Sequence, residues 1–220
     1  MLVLFSCQQS KPVETAGLPQ KKSDAHSFSE PQKAVVKHLD LDIKVDFTSQ
    51  LISGKATWII ENITKTDEII FDSRQLNIQK VTLGDDEKET AFSLGENDKI
   101  MGQALKVKIN DSTTKVTIYY TTSKDAAAVQ WLNPQQTAGK KYPFLFTQSE
   151  AILARSWIPC QDGPGVRFTY NAKVTVPAEL LALMSAENPQ VKNSAGVYQF
   201  KQTNPIPSYL MALAVGDIQF

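Results

Sequence analysis

Apolar and polar residues alternate along most of the chain beyond residue 38. Residues 39–47 alternate without a break, so successive side chains are expected on opposite faces of a strand, one face against a core and the other in water. A short polar turn separates them from residues 51–62, which are rich in β-branched and aromatic side chains. The two segments therefore predict a β-hairpin.

Further short strands are predicted along the rest of the chain, each bounded by Gly, Asn, Asp or Ser. They cover residues 67–72, 76–81, 105–109, 116–120, 168–176, 197–200 and 209–215. No segment keeps a helical period, although residues 180–184 have room for one helical turn. The pattern predicts an all-β fold, antiparallel and sandwich-like.

The last predicted strand, residues 209–215, is apolar on both faces. A strand of this kind is expected in the middle of a packed sheet, because both of its faces need cover. We therefore expect further chain beyond Phe220.

The first residues differ from the β pattern. Residues 1–6 are a short apolar run that ends in a small residue before Cys7, which resembles the end of a bacterial lipoprotein signal. This predicts lipidation of Cys7 and a place on the periplasmic side of a bacterial cell envelope, with a ragged, disordered terminus as the alternative. Residues 8–34 are polar and contain prolines, so they are predicted to be a disordered tether, which leaves residues 35–220 as the β-domain.

Composition and charge narrow the possible partners. Lys plus Arg number 23, as do Asp plus Glu, so the formal net charge is zero and there is no overall positive field to attract nucleic acid. The two cysteines, Cys7 and Cys160, have very different surroundings, which argues against a disulfide framework. We therefore expect a globular domain held by its core, with no nucleic-acid partner.

Residues 144–151 contain the first candidate for function. If this segment is extended, its two-residue period puts Phe144, Phe146, Gln148 and Glu150 on one face. An amide and a carboxylate beside aromatic side chains suit the binding of a cationic group, because an ion pair strengthens as water is excluded. Polar residues on a solvated strand edge are the alternative that the pattern alone leaves open.

Five stretches in a consistent order resemble one protein family. They are Q-S-E-A at residues 148–151, A-R-S-W-I-P-C-Q-D-G-P at 154–164, and the segments 128–134, 183–186 and 205–212. Together they resemble the gluzincin aminopeptidases, the zinc enzymes that include aminopeptidase N and leukotriene hydrolase, and they are most similar to the leukotriene hydrolase branch. The resemblance spans residues 36–220. It implies a saddle-shaped N-terminal β-domain that is followed by a zinc-bearing catalytic domain.

The resemblance also implies roles for two residues. Glu150 matches the family glutamate that binds the free α-amino group of the peptide, together with a second glutamate in a later G-x-M-E-N motif. Gln148 matches a glutamine that lines the first substrate pocket. In leukotriene hydrolases a glutamine commonly stands at the position of Glu150, so the glutamate here favours aminopeptidase activity over epoxide hydrolysis.

Other residues of the motif stretches are expected to be structural. Arg155 and Asp162 are predicted to pair and to fix the loop that follows the candidate site. Cys160 is interpreted as a packing thiol because no histidine lies near it in the sequence. Trp131 and Trp157 are predicted to anchor the core, with sugar stacking as the alternative.

The metal-binding motif of the family is absent from the sequence. The family holds zinc with H-E-x-x-H and a distant glutamate, and the metal polarises the scissile carbonyl and activates water. No H-E-x-x-H occurs, and the two histidines, His26 and His38, are predicted to be solvated. We therefore predict no catalytic residue and no metal ligand in this chain, no peptidase activity from it alone, and zinc only in the full-length enzyme.

Three functions are compatible with these observations. The first is the N-terminal substrate-recognition domain of a zinc aminopeptidase, whose partners are peptides with a free N-terminus and a C-terminal catalytic domain. The second is a non-catalytic, membrane-tethered β-sandwich that binds peptides or glycans, and the third is a structural or adhesive sandwich. Contact with a membrane is expected only through the lipid anchor.

Overall fold

The computed structural model describes residues 24–219, and within them the chain forms strands, short turns and three short 3₁₀ helices, at Pro134–Gln136, Ala154–Ser156 and Ser208–Leu210. The all-β prediction is confirmed. The strands are β1 Ala34–Asp46, β2 Leu51–Asn62, β3 Glu68–Ser73, β4 Asn77–Leu83, β5 Lys88–Glu89, β6 Phe92–Leu94, β7 Gln103–Lys108, β8 Lys115–Thr121, β9 Val129–Leu132, β10 Phe144–Thr147, β11 Phe168–Thr175, β12 Leu181–Met184, β13 Val197–Ile206 and β14 Leu213–Gly216.

These strands form three sheets. The largest has seven strands in the order β13-β11-β1-β2-β8-β4-β5, the second has four in the order β12-β14-β10-β9, and the third has three in the order β3-β7-β6. Neighbouring strands are antiparallel except β1 and β11, which run parallel. A parallel pair needs a long crossover instead of a tight turn, and the chain from β2 to β10 provides that crossover.

Aromatic side chains join the large sheet to the three-stranded sheet. Trp58 on β2 is fully buried, and its ring meets Phe168 of β11 edge-on with the ring centroids 4.9 Å apart. The Trp58 ring also lies 6.2 Å from the ring of Phe71 on β3, centroid to centroid. Its indole N–H donates to the carbonyl oxygen of Pro159 at 3.0 Å, so the buried ring leaves no polar atom unsatisfied.

Two predicted segments differ from the structure. Residues 180–184 contain β12 and no helical turn, because this segment pairs with β14. Residues 209–215 do not form one strand, since the 3₁₀ helix Ser208–Leu210 precedes β14. β14 lies between β12 and β10, so the apolar segment does occupy the middle of a sheet, as its two apolar faces predict.

The ordered domain begins earlier than the composition indicates. β1 starts at Ala34, and part of the predicted tether is already ordered: residues 26–28 bond to the buried Asp72 and Arg155, and the Lys33 carbonyl oxygen accepts from the Ile63 N–H. The predicted signal segment, the lipidation at Cys7 and the rest of the tether lie outside the described residues and stay predictions. In the part of the chain that is described, no helix is long and apolar enough to cross a bilayer.

Gly102, which directly precedes β7, has a backbone conformation that other residues adopt at a cost. Its φ is +79°, and a Cβ atom built on it would lie 2.3 Å from the carbonyl oxygen of Ser73. We expect Gly102→Ala to lower the free energy of unfolding by more than the ~1–2 kcal/mol that left-handed backbone costs an L-residue. Urea denaturation of the wild type and the variant measures this loss.

Gly139 supplies the matched control for that substitution. Nothing lies within 4 Å of the position that its Cβ would take. Gly139→Ala is therefore expected to change the free energy of unfolding by less than about 0.5 kcal/mol. Equal losses in the two variants would show that the close approach to Ser73 is unimportant.

Candidate functional site

The segment after β10 presents Gln148 and Glu150. Strand pairing ends at Thr147, yet the alternation of burial continues to Glu150. Gln148 and Glu150 are exposed, as is Phe146, whereas Thr147 and Ser149 are buried. The amide and the carboxylate therefore project from one face of this edge, as the two-residue period predicts.

Buried hydroxyl groups hold this segment against the four-stranded sheet. The Ser149 hydroxyl donates to the Met211 carbonyl oxygen at 2.8 Å and accepts a hydrogen bond from the Trp157 indole N–H at 3.0 Å. The Thr147 hydroxyl oxygen accepts one from the Leu213 N–H at 2.9 Å. The backbone that presents the candidate carboxylate is thus fixed, while the carboxylate itself stays accessible.

Gln148 makes a contact that the sequence does not predict. Its side-chain oxygen accepts a hydrogen bond from the Glu150 N–H at 2.9 Å, and its own backbone N–H donates to the Ala128 carbonyl oxygen at 2.8 Å. The peptide bond between Glu150 and Ala151 is cis. The Gln148 side chain therefore stabilises the turn that carries the candidate carboxylate, although Gln148 is not among the lining residues of the cleft onto which Glu150 opens.

Glu150 opens onto a cleft of about 370 Å³, here called the Glu150 cleft. Its lining residues are Asp24, His26, Glu150, Ala151, Ile152, Pro164 and Tyr209. Most of the lining surface is apolar, and the exposed Glu150 carboxylate lies at its edge, where an ammonium group could pair with it. The arrangement is chemically suited to binding a primary amine.

The sequence does not predict that Asp24, His26 and Tyr209 lie beside Glu150. They come from the N-terminal segment and from the 3₁₀ helix before β14, far from Glu150 along the chain. No periodicity or short motif connects segments so distant in sequence. The one available signal is that Tyr209 belongs to a stretch that resembles the family.

A larger hollow, of about 930 Å³, lies on the outer face of the seven-stranded sheet. Several charged side chains there pair with one another, among them Lys173 with Asp42 at 2.9 Å and Lys55 with Glu87 at 3.2 Å. Such pairs stabilise an exposed sheet face. Because these paired charges already compensate each other, we assign no ligand to them.

A buried group of charged residues joins the segments that line the Glu150 cleft. Arg155 Nε–H donates to Asp162 Oδ2 at 2.9 Å, and Arg155 Nη1 lies 3.5 Å from Asp72 Oδ1. Arg155 and Asp72 are 0% exposed and Asp162 is 1% exposed. The predicted pair between Arg155 and Asp162 is therefore present, and Asp72 is a third member that the sequence does not reveal. These three residues are called the ion cluster below.

The guanidinium of the ion cluster is also bonded to backbone carbonyl groups. Arg155 donates to the carbonyl oxygens of Met101 at 2.9 Å, His26 at 2.8 Å and Asp162 at 3.0 Å. A buried charge is tolerated only when it is paired and hydrogen-bonded. Arg155 meets both conditions, and in doing so it connects three loops of the domain.

The ion cluster makes the stability of the domain depend on pH through Asp72. Burial raises the pKa of Asp72 above its ordinary value of 3.8, and this effect outweighs the opposing effects of Arg155 and of the hydrogen bonds from Ser27 and Phe28. The folded form therefore binds a proton more tightly than the unfolded form. The stability from this difference is complete below the ordinary pKa and is lost as the pH rises through the raised pKa.

A comparison with Asp72→Asn isolates this contribution. The stability difference is the free energy of unfolding of the wild type minus that of Asp72→Asn. We expect it to fall as the pH rises from the ordinary pKa of Asp72 through its raised pKa in the folded protein. Urea denaturation of both proteins at several pH values measures the difference. A difference that does not change with pH would contradict the raised pKa of Asp72.

The structure also places the cysteine and the tryptophans of the motif stretches. Cys160 is buried, and burial raises the pKa of its thiol well above the usual value, as expected of an unreactive packing thiol. Trp157 is fully buried, which confirms it as a core residue. Trp131 is half-buried, and its ring meets Phe47 edge-on with the centroids 5.4 Å apart.

The two histidines differ in how far their side chains are exposed to solvent. The side chain of His26 is 73% exposed, whereas that of His38, on β1, is 26% exposed and its Nδ1 lies 2.6 Å from Thr169 Oγ1. His38 is therefore a half-buried strand residue and not a solvated one. Among residues 24–219, no group of three His, Cys, Asp or Glu side chains could hold a metal ion. The zinc of the family has no set of ligands in this part of the chain.

The fold and the cleft define a β-domain that presents the accessible Glu150 carboxylate on a hydrogen-bonded turn. Its family follows from sequence comparison. Residues 35–210 match the Peptidase M1 N-terminal domain, and the chain belongs to this family.

Individual relatives agree with this assignment. The chain is 40% identical over 208 residues to a leukotriene A-4 hydrolase of Xenopus laevis, covering 90% of the chain and 34% of the relative. It is 35% identical over 211 residues to a leucine aminopeptidase 2 of Sclerotinia sclerotiorum, covering 89% of the chain and 34% of the relative. The chain thus spans about a third of the length of these relatives.

Solved structures give the same fold. Native leukotriene A4 hydrolase from Saccharomyces cerevisiae superposes with a TM-score of 0.78 at 32% identity, over 94% of this chain and 32% of that one. An M1 zinc metallopeptidase from Deinococcus radiodurans superposes with a TM-score of 0.64 at 22% identity, over 84% of this chain and 42% of that one. The second likeness supports the fold alone.

Proposed function

We propose that this chain is the substrate-recognition domain of a zinc-dependent aminopeptidase and that the Glu150 carboxylate binds the free α-amino group of a peptide. Gln148, whose side chain bonds the Glu150 N–H, is proposed to line the first substrate pocket. M1 peptidases carry a C-terminal catalytic domain, and we assign the hydrolytic step to that domain. The residues described here then bind and orient the peptide and do not take part in bond cleavage.

The observation that carries this proposal is the position of the Glu150 carboxylate. Its carboxylate is exposed at the edge of a largely apolar cleft, while Ser149, the residue before it, is buried and hydrogen-bonded on both sides. A carboxylate fixed in such surroundings forms a strong, charge-assisted hydrogen bond with an ammonium group. It therefore favours peptides with a free N-terminus over blocked ones, which cannot satisfy it.

The zinc of the proposed enzyme is expected to lie outside residues 24–219. When bound, such a zinc polarises the scissile carbonyl and activates a water molecule. The described residues offer no ligand set for it. The role of this domain is to place the peptide amine, which sets where the first peptide bond lies.

The residue at position 150 also bears on the choice between two reactions. Relatives of this chain include proteins named leukotriene A-4 hydrolase and proteins named leucine aminopeptidase 2. A full negative charge at Glu150 suits an ammonium ion better than a neutral amide would. We therefore propose aminopeptidase activity and not epoxide hydrolysis.

The proposal is tested by comparing the full-length protein with residues 24–220 alone. In zinc-containing buffer, the full-length protein is expected to hydrolyse an aminoacyl chromogenic substrate and to cleave the N-acetylated form of that substrate poorly. Residues 24–220 alone are expected to hydrolyse neither. Hydrolysis by the isolated residues would contradict the division of roles, and equal cleavage of free and acetylated substrates would contradict recognition of the amine.

A further inference from the structure

The N-terminal strap, defined as residues 24–29, forms a wall of the Glu150 cleft. Asp24 and His26 line this cleft together with Glu150. Asp24 also packs on the loop that contains Pro164, since a Cβ built on Gly163 would lie 3.2 Å from Asp24 Oδ2. The strap therefore shapes the space in which the proposed substrate lies, although it precedes the first strand.

Polar contacts hold the strap in place, and two of them go to Asp72. The Phe28 N–H donates to Asp72 Oδ1 at 2.7 Å, and the Ser27 hydroxyl donates to Asp72 Oδ2 at 2.6 Å. The Ser29 N–H donates to the Ser27 hydroxyl oxygen at 3.1 Å. The His26 carbonyl oxygen accepts a hydrogen bond from Arg155 at 2.8 Å.

Asp72 is buried, which gives these contacts their strength. It is 0% exposed, so its hydrogen bonds form where water does not compete. The strap contains few large apolar side chains of its own, and Phe28 is only half-buried. Loss of the Asp72 contacts would therefore leave the strap with little else to fix it against the domain.

The same carboxylate connects the strap to other segments that line the cleft. Asp72 Oδ2 accepts a hydrogen bond from the Asp162 N–H at 2.8 Å, and Asp162 Oδ1 accepts one from the Ser208 hydroxyl at 2.6 Å. Ser208 directly precedes Tyr209, another lining residue. Arg155, bonded to Asp162, lies in the 3₁₀ helix that follows the Glu150 turn.

We propose that the N-terminal strap is a wall of the amine-binding cleft and that Asp72 is the positioning residue that fixes it there. This inference rests on the proposed function of Glu150. Asp72 does not touch the substrate. It acts by setting the distance between the strap and the wall formed by residues 150–152, so that a peptide enters a preorganised cleft and does not have to order the strap on binding.

The test uses steady-state kinetics of the full-length protein on an aminoacyl chromogenic substrate. Ser27→Ala removes one strap contact without placing a change in the core, and Asp72→Asn alters the anchor itself. We expect Ser27→Ala to raise KM about three- to tenfold with little change in kcat, because it weakens a hydrogen bond to a charged group that organises binding and not chemistry. Ser27→Thr, which keeps the hydroxyl, should restore the wild-type KM.

Two further comparisons make the result decisive. Ser194→Ala, at an exposed serine remote from the strap in sequence, should leave both constants unchanged. In a Glu150→Gln background, Ser27→Ala should raise KM less than it does alone, because the two changes affect one cleft. An unchanged KM in Ser27→Ala, or effects that are fully additive with Glu150→Gln, would overturn the inference.

The outcomes also separate this inference from the proposed function. If Glu150→Gln alone leaves KM and kcat unchanged, the function proposed for Glu150 is wrong. If Glu150→Gln weakens the enzyme and Ser27→Ala does not, that function stands and the positioning role of Asp72 is wrong. Hydrogen exchange at the Phe28 amide, faster in Asp72→Asn than in the wild type, reports directly on release of the strap.

Discussion

Replacing Arg155 by methionine is expected to lower the free energy of unfolding by about 3 to 5 kcal/mol. The guanidinium is 0% exposed and lies 2.9 Å from Asp162 and 3.5 Å from Asp72. Methionine fills much of the same space, yet it leaves two buried carboxylates without their cation. The carbonyl oxygen of Met101 also loses its donor. Urea denaturation of the wild type and the variant measures the loss.

An exposed ion pair provides the control for this prediction. Lys108 and Asp67 also approach to 2.9 Å, but their side chains are 57% and 80% exposed. Lys108→Met is therefore expected to cost no more than about 1 kcal/mol. Arg155→Lys should recover little of the lost stability, because one ammonium group cannot span the acceptors that the planar guanidinium reaches. A loss below ~1 kcal/mol in Arg155→Met would contradict the structural role of the ion cluster.

Replacing Glu150 by glutamine in the full-length protein is expected to cost about 2 to 5 kcal/mol of binding free energy for peptides with a free N-terminus. The smaller loss corresponds to a fall in kcat/KM of roughly thirtyfold. Glutamine keeps the size of the side chain and removes its charge, so the variant tests the charge and not the shape. Kinetics on an aminoacyl chromogenic substrate measure the change.

Glu179 offers a matched control for that substitution. It is an exposed glutamate in the turn before β12, outside the Glu150 cleft. Glu179→Gln should leave kcat/KM unchanged, because it removes the same charge from open solvent. A similar fall in both variants would indicate a general effect of net charge and would argue against a specific contact with the amine.

Local patterns predict much of the fold because burial and strand geometry share one period. Residues 39–46, most of the first alternating segment, lie in β1, and residues 116–120 lie in β8. The same period places Gln148 and Glu150 on one face even beyond the end of β10, since buried Ser149 continues the alternation. Where both faces are apolar, the two-residue period is lost. The pattern of residues 180–184 therefore fits a strand and a helical turn equally well.

Interactions between distant segments could not be predicted in this way. Arg155 and Asp162 are close enough in sequence to suggest a pair, whereas Asp72 joins them only through the packing of β3 against their loop. The parallel pairing of β1 and β11 depends likewise on a crossover that no local pattern records.

The N-terminal strap shows why composition alone misleads. Residues 24–29 are mostly polar, as a tether is, and bury little apolar surface of their own. Hydrogen bonds from residues 26–28 to Asp72 and Arg155, which are already buried in the domain, hold them in place. A polar segment can be ordered when the rest of the fold supplies a buried charge that needs partners.

A crystal structure of the full-length protein with a peptide analogue that has a free α-amine tests the central claim most directly. We predict that the amine nitrogen lies within hydrogen-bond distance of a Glu150 carboxylate oxygen, about 2.7–3.2 Å. Gln148 is expected to lie beside it. An amine bound elsewhere, with the Glu150 carboxylate facing solvent, would contradict the account.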